Sequence, residues 1–161
     1  MAAPAYSRTQ IGLHWLIAAL VVFQLLFAEA MEEMVEAAEE GERLSASDAL
    51  LGGAHYWVGI AVLVFAALRL ALRLRAGAAP ADAASPARLA AAVVHALFYV
   101  LLFVVPVVGL LAYYSGGPWE DLHKLAKPAF ILLIGVHAAA ALYHQFVLRD
   151  GTLRRILVAE R

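Results

Sequence analysis

Four long apolar stretches constrain the fold of this 161-residue chain more than any other feature. They run over residues 11–28, 55–74, 89–113 and 123–148, and each approaches or exceeds the roughly 20 apolar residues that a helix needs to cross a bilayer. Because unpaired backbone groups cannot face hydrocarbon, we expect each stretch to be helical. The sequence therefore predicts an all-α integral membrane four-helix bundle, with residues 1–161 forming a single domain.

The composition supports a membrane protein and excludes several kinds of site. Hydrophobic residues make up 64% of the chain and charged residues 16%, a balance that is too apolar for a soluble domain. The chain has no cysteine, which excludes disulfides, thiolate metal sites, iron–sulfur clusters and covalently attached haem. Any haem is therefore of b type, and we expect membrane lipid, but no nucleic acid, among the partners.

The basic residues predict the orientation of the bundle. Nine of the twelve lysines and arginines fall on one side, which the positive-inside rule assigns to the cytoplasm. They are Arg8, Arg69, Arg73, Arg75, Arg88, Arg149, Arg154, Arg155 and Arg161. We therefore expect both termini to be cytoplasmic and the chain to cross the membrane several times. A cleaved signal peptide is the rival interpretation of residues 11–28, but His14 and Gln24 interrupt that apolar run.

An acidic segment joins the first two predicted spans on the outer side. It contains eight acidic residues between Glu29 and Asp48. A solvated, partly helical connector is the preferred interpretation of this segment, and a docking surface for a basic partner is the alternative. The residues from Ala76 to Pro86, rich in alanine and proline, are expected to form an inner connector without chemistry.

The histidines carry the chemical signal, because a histidine at membrane depth is costly unless it has a partner. All six lie in or at the ends of the apolar stretches: His14, His55, His95, His123, His137 and His144. On the fourth stretch, the separations of fourteen and seven residues are close to whole numbers of helical turns, so its three histidines are predicted to share one face. Two levels of histidines emerge, which suits two stacked haem groups.

A haem held by two histidines needs imidazoles that face each other at one height from different helices. The outer level offers His55 and His123. The inner level offers His14 and His137, with His95 and His144 as competitors, and depth alone does not choose among these four.

Several motifs make the chain resemble the bacterial cytochrome b561 family over nearly its whole length. The motifs are Tyr6-Ser7-Arg8, Gln10-Ile11, His14-Trp15-Leu16, the Arg69 and Arg73 pair, the segment from His95 to Pro106-Val107-Val108-Gly109-Leu110, and Gly135-Val136-His137-Ala138-Ala139-Ala140-Ala141-Leu142 with His144. The resemblance implies a four-helix membrane bundle with two b haems, the inner one bound by His14 and His137 and the outer one by His55 and His123. It also implies an inner ubiquinone site at His144 and a location in the bacterial inner membrane.

The resemblance further implies electron transfer from periplasmic superoxide through the haems to ubiquinone. The acidic outer segment opposes the approach of an anion, whereas Lys124 and Lys127, beside the outer ligand, offer a local anion site. An alternative is a haem-bearing membrane anchor that exchanges electrons with a periplasmic partner such as a c-type cytochrome or a dehydrogenase. A haem-free channel that uses the histidines as a proton path is the third hypothesis.

Each of three further residues near the inner level, Arg69, Arg73 and His95, has two interpretations. Arg69 and Arg73 either hold the second span at the interface or pair with haem propionates. His95 either packs in the bundle or hydrogen-bonds a propionate or a quinone. His144, at the proposed quinone site, is a candidate proton donor because imidazole titrates near neutral pH.

Overall fold

The computed structural model describes residues 7–76 and 86–158, and helices joined by short turns make up this part of the chain, with no strand. Four helical segments are long and apolar enough to span a membrane, as predicted. The first three are α1 (Arg8–Leu26), α3 (Ala46–Arg75) and α4 (Pro86–Ser115). Most of the predicted inner connector lies outside the described residues.

The fourth span consists of three consecutive pieces rather than one continuous helix. These are α5 (Pro118–Lys124), α6 (Ala126–Tyr143) and a π-helical turn (His144–Leu148), and a short helix α7 (Thr152–Leu157) follows. Pro128 explains the break between α5 and α6, because proline has no N–H to donate to the carbonyl four residues earlier and its ring crowds that carbonyl. A single turn residue, Leu125, therefore separates α5 from α6 within the predicted fourth span, and all three of its histidines lie within that span.

Short polar motifs fix where the first and second spans begin. Ser7 accepts a hydrogen bond from the Gln10 backbone N–H, while the Gln10 side chain accepts one from the Ser7 backbone, forming a complete capping box. Ser45 caps α3 in the same way through the N–H of Asp48. A cap of this kind is worth about 1 kcal/mol. The second span therefore begins nine residues before the predicted start at His55.

The acidic connector between the first two spans contains a second helix, α2 (Ala28–Glu40). This outcome agrees with the preferred interpretation of a partly helical connector. The helix lies tightly against the start of α3, because a Cβ at Gly52 would meet the Ala30 carbonyl oxygen at 2.8 Å and the Met34 Cβ at 3.0 Å. Gly41 ends α2 in the left-handed conformation that glycine adopts without strain.

The bundle has few buried residues, and its outer surface is apolar. Among the described residues, one buried cluster joins the spans and consists of Ile17, Val21, Val62, Ala66, Leu102 and Phe130. Many large apolar side chains point outward, among them Leu132, which is 70% exposed. Such a surface is stable in lipid, where outward-facing leucine and valine meet hydrocarbon instead of water.

Candidate functional site

The outer histidines approach each other from two different helices. His55 lies on α3 and His123 on α5, and their ring centroids are 6.2 Å apart with the ring planes at 82°. Both side chains are half-buried between the helices. The structure therefore brings together the two residues that sequence analysis assigned to the outer level.

Three histidines meet at the inner level. His14 on α1 and His137 on α6 have ring centroids 6.4 Å apart at an interplanar angle of 64°. His95 on α4 lies closer, with its centroid 5.4 Å from that of His137. Phe98, one turn after His95, stacks edge-on against the same imidazole at 5.3 Å. His144, the other competitor for the inner level, lies in the π-helical turn beyond α6.

The centroid separations test whether a metal fits between each pair. With metal–imidazole bonds of about 2 Å and roughly 1.1 Å from a ring nitrogen to the ring centroid, two imidazoles that bind one metal from opposite sides have centroids about 6.2 Å apart. The His55–His123 and His14–His137 separations of 6.2 and 6.4 Å match this value. The His95–His137 separation of 5.4 Å is too short for an iron between the rings. In the described part of the chain, no three His, Cys, Asp or Glu side chains form a bare metal site.

Two residues of α4 fix the position of the His123 ring. Its Nδ1 lies 3.2 Å from the carbonyl oxygen of Val105, so Nδ1–H donates to the backbone and Nε2 is the nitrogen left for a metal. Gly109, one turn later, makes room for the ring, because a Cβ there would lie 2.7 Å from His123 Cε1. This glycine appeared in the sequence only as part of a family motif, and its steric role requires the structure.

Comparison with known proteins assigns the chain to a family. The model of the prokaryotic cytochrome b561 family matches residues 5–158. The chain belongs to this family. It is 39% identical over 155 residues to cytochrome b562 of Cereibacter sphaeroides, with 96% of each chain covered.

Two further relatives are similar over almost their full length. The chain is 29% identical to the Yersinia pestis protein named "Probable superoxide oxidase CybB", covering 97% of each chain. It is 27% identical to cytochrome b561 homolog 1 of Escherichia coli, covering 94% of this chain and 96% of the relative. The chain is thus a haem-bearing electron-transfer protein of a bacterial membrane, and the resemblance noted from its motifs is confirmed.

A glutamine that sequence analysis treated only as an interruption of the first span lies beside the outer pair of this cytochrome. Gln24 Nε2 donates to the carbonyl oxygen of His55 at 3.0 Å. Gly59 makes room for this amide, because a Cβ at that position would lie only 3.0 Å from the same nitrogen. Among the described residues, the buried Gln24 Oε1 and His55 Nδ1 atoms have no hydrogen-bond partner. A polar group in an apolar span was the signal available in the sequence.

The two arginines predicted near the inner level already have contacts within the protein. Arg69 Nη1 donates to the carbonyl oxygen of Gln10 at 2.9 Å and thereby ties α3 to the start of α1. The Arg73 guanidinium lies 5.9 Å from the centre of the Tyr99 ring, a cation–π distance. Each of these contacts uses part of the guanidinium, which has five N–H donors in total.

The two outer lysines form ion pairs with the acidic helix α2. Lys124 Nζ donates to Glu32 Oε1 at 2.5 Å, and Lys127 Nζ donates to Glu29 Oε1 at 3.2 Å. All four side chains are more than 40% exposed. Such pairs add little stability but largely neutralise the positive charge that was expected to attract an anion.

The inner end of the fourth span carries a histidine–carboxylate contact that sequence analysis missed. His144 Nδ1 lies 2.5 Å from Asp150 Oδ2. Hydrogen bonds from Thr152 and His144 to this carboxylate lower the pKa of Asp150 to about 2. At the same end, Trp15 Nε1 donates to the Ile156 carbonyl oxygen, and a groove of about 390 Å³ opens between the start of α1 and the end of α7.

Proposed function

We propose that this cytochrome holds two b haems, the outer one between His55 and His123 and the inner one between His14 and His137. The observation that carries the proposal is the pair of centroid separations, 6.2 and 6.4 Å, from imidazoles on four different helices. The hydrogen bond from His123 Nδ1–H to a backbone carbonyl supports the assignment, because such contacts orient metal-binding imidazoles.

The remaining inner residues are proposed to surround the inner haem rather than bind its iron. His95 contacts the imidazole of His137 too closely for a shared metal. Arg69 and Arg73 lie toward the inner end of α3, where their free N–H groups are suitable donors to haem propionates. The family resemblance implied His14, and the distances between the rings support His14 over His95 as the partner of His137.

When bound, haem b supplies a one-electron iron couple, and the protein contributes position and electrostatics. We propose a transmembrane electron relay between a periplasmic donor and ubiquinone, in the inner membrane with both termini cytoplasmic. The basic residues at the ends of α3 and α7, including Arg73, Arg75, Arg154 and Arg155, support this orientation. His144 and the groove beside α7 are then at the cytoplasmic end, where a quinone takes up protons.

Superoxide is the first proposed donor, since a relative that is 29% identical over almost its full length is named "Probable superoxide oxidase CybB". A basic periplasmic protein, such as a c-type cytochrome, is the second candidate donor. The ion pairs of Lys124 and Lys127 with α2 favour the second candidate, because this helix contains six glutamates in thirteen residues and neutralises the lysines beside the outer histidines.

The test uses the purified full-length protein in lipid vesicles that contain ubiquinone. Oxidised protein is exposed to a steady source of superoxide, and haem reduction and ubiquinol formation are followed together. The proposal expects both signals, and added superoxide dismutase should abolish them. Haem that stays oxidised under superoxide but is reduced by a basic c-type cytochrome would select the second donor. A protein purified without b haem would contradict both.

A further inference from the structure

The chain turns back on itself immediately after the fourth span. The last five residues of the span form a π-helical turn, His144–Leu148, and Arg149 follows in the left-handed conformation with φ of 54°. It is the one non-glycine residue with positive φ among residues 7–76 and 86–158. Single π turns and residues held in this conformation both occur preferentially at functional sites. Together they return Asp150 to the imidazole of His144.

The carboxylate of Asp150 is held by three donors. One oxygen accepts from His144 Nδ1 at 2.5 Å, and the other accepts from the backbone N–H and the hydroxyl of Thr152 at 2.9 and 2.6 Å. The Thr152 hydroxyl in turn accepts a hydrogen bond from Arg155 Nη2 at 3.1 Å. The carboxylate therefore has a fixed orientation, in which Oδ2 contacts only the histidine among these donors.

This arrangement determines which nitrogen of His144 is available for chemistry. An ionised carboxylate only accepts hydrogen bonds, so the proton between the two groups belongs to Nδ1. Nε2 is then the free position of the ring, and the side chain is 30% exposed, which leaves it open to water. A carboxylate behind an imidazole is a recurrent way of fixing its tautomer and orientation.

We infer that Asp150 is a positioning residue that holds His144 with its Nδ1–H toward the carboxylate, so that Nε2–H of the protonated ring gives a proton to a quinone oxygen. The inference rests on the proposed function, in which ubiquinone is reduced at this end. Ubiquinone gains two electrons from the reduced haems and two protons to become ubiquinol. One proton leaves His144 Nε2, which then regains a proton from the cytoplasm, and the second proton reaches the other quinone oxygen from cytoplasmic water.

Several charged or titratable groups surround this pair. The ring of Tyr143, from α6, lies 6.3 Å from that of His144. Arg149 is next to Asp150 in the chain, while Arg154 and Arg155 lie on α7, which packs on the π-helical turn. These arginines favour the ionised carboxylate, which is the state that the proposed orientation of His144 requires.

The variant Asp150→Asn tests the inference directly. Thr152 offers two donors, so the amide oxygen should stay with Thr152 and the NH₂ group should replace the carboxylate oxygen that faces His144. That NH₂ group is a donor, and it should reverse the neutral tautomer of His144 from Nδ1–H to Nε2–H. The control Thr152→Val removes a contact to Asp150 but leaves the carboxylate beside the histidine.

Two measurements are made on full-length, haem-loaded protein. Histidine ¹⁵N chemical shifts report the His144 tautomer, with the signal assigned by comparison with His144→Gln. Stopped-flow oxidation of dithionite-reduced protein by a short-chain ubiquinone reports proton-coupled electron transfer without needing the natural donor. Asp150→Asn should show the reversed tautomer and oxidation slower by about tenfold or more, with unchanged haem content, whereas Thr152→Val should resemble the wild type in both measurements.

The outcomes separate the inference from the proposed function. Unchanged tautomer and rate in Asp150→Asn, against an active wild type, overturn the inference alone. Equal losses in Asp150→Asn and Thr152→Val indicate a merely structural role and also overturn it. If Asp150→Asn loses haem, Asp150→Ala replaces it. The His144 tautomer of that variant is then compared with that of the wild type, and an unchanged tautomer overturns the inference. A haem-loaded wild type that does not reduce ubiquinone contradicts both the proposed acceptor and the inference.

Discussion

Replacing Gly109 with alanine should displace one side of the proposed outer haem site without disturbing the rest of the bundle. A Cβ at this position lies 2.7 Å from His123 Cε1 and 3.1 Å from its Nδ1, whereas ordinary contact begins at 3.4 Å. The ring must therefore move by about 0.7 Å (3.4 − 2.7). The only alternative is for the α4 backbone to retreat by a similar distance.

A movement of that size exceeds the tolerance of a metal site, which is about 0.5 Å. It also strains the 3.2 Å hydrogen bond from His123 Nδ1–H to the Val105 carbonyl oxygen. Loss of such an orienting contact typically lowers metal-site affinity by about 10- to 100-fold. Alanine is the better helix former by about 1 kcal/mol, so helix content should not fall.

The assay is the ratio of haem to protein, measured with the reduced-minus-oxidised spectrum and circular dichroism. Gly109→Ala should lose or weaken the outer haem while keeping the inner one and full helicity. Gly53→Ala is the matched control, since nothing lies within 4 Å of a Cβ at that position of α3. Two full haem equivalents with an unaltered spectrum in Gly109→Ala would refute the steric argument.

Three further predictions concern other parts of the molecule. His95→Ala should keep both haems, because its ring lies only 5.4 Å from that of His137, and a lost haem equivalent would reverse the inner assignment. Glu32→Gln should free Lys124 and accelerate reduction by an anionic donor, with the gain shrinking as salt rises in stopped-flow traces; equal rates at low salt would count against it. Because the pKa of Asp150 is lowered from 3.8 to about 2, its ionised form stabilises the turn before α7 above pH 3.8, and this contribution is lost as pH falls through about 2. Protection of the α7 amides, taken as the observed exchange rate relative to the intrinsic rate at each pH, should fall over that interval, and pH-independent protection would contradict it.

The number and type of the membrane helices were predictable because they follow from local composition. Apolar runs of about 20 residues require helices in lipid wherever they pack. The boundaries were less predictable, since the Ser45 cap and the break near Pro128 depend on single residues within a run. The outer histidine pair was predictable for a related reason: both residues lie at the outer ends of their apolar stretches.

The geometry of the inner level and the supporting contacts required the structure. His14 and His95 have similar depths, so depth did not choose between them as partners of His137. The family resemblance implied His14, and the ring separations support that choice. Gly109 and Asp150 act through contacts that depend on how helices and turns come together, so neither residue type carries a signal in isolation. The pairing of the outer lysines with α2 was likewise invisible until the acidic connector proved to be a helix beside them.

Low-temperature electron paramagnetic resonance of the oxidised protein, combined with haem quantification, tests the two-pair arrangement most directly. The wild type should contain two haems per chain, each with a low-spin signal typical of two axial imidazoles. His55→Ala and His123→Ala should remove the same signal, and His14→Ala and His137→Ala should remove the other. One haem per chain, or a signal shared by variants from both pairs, would contradict the account.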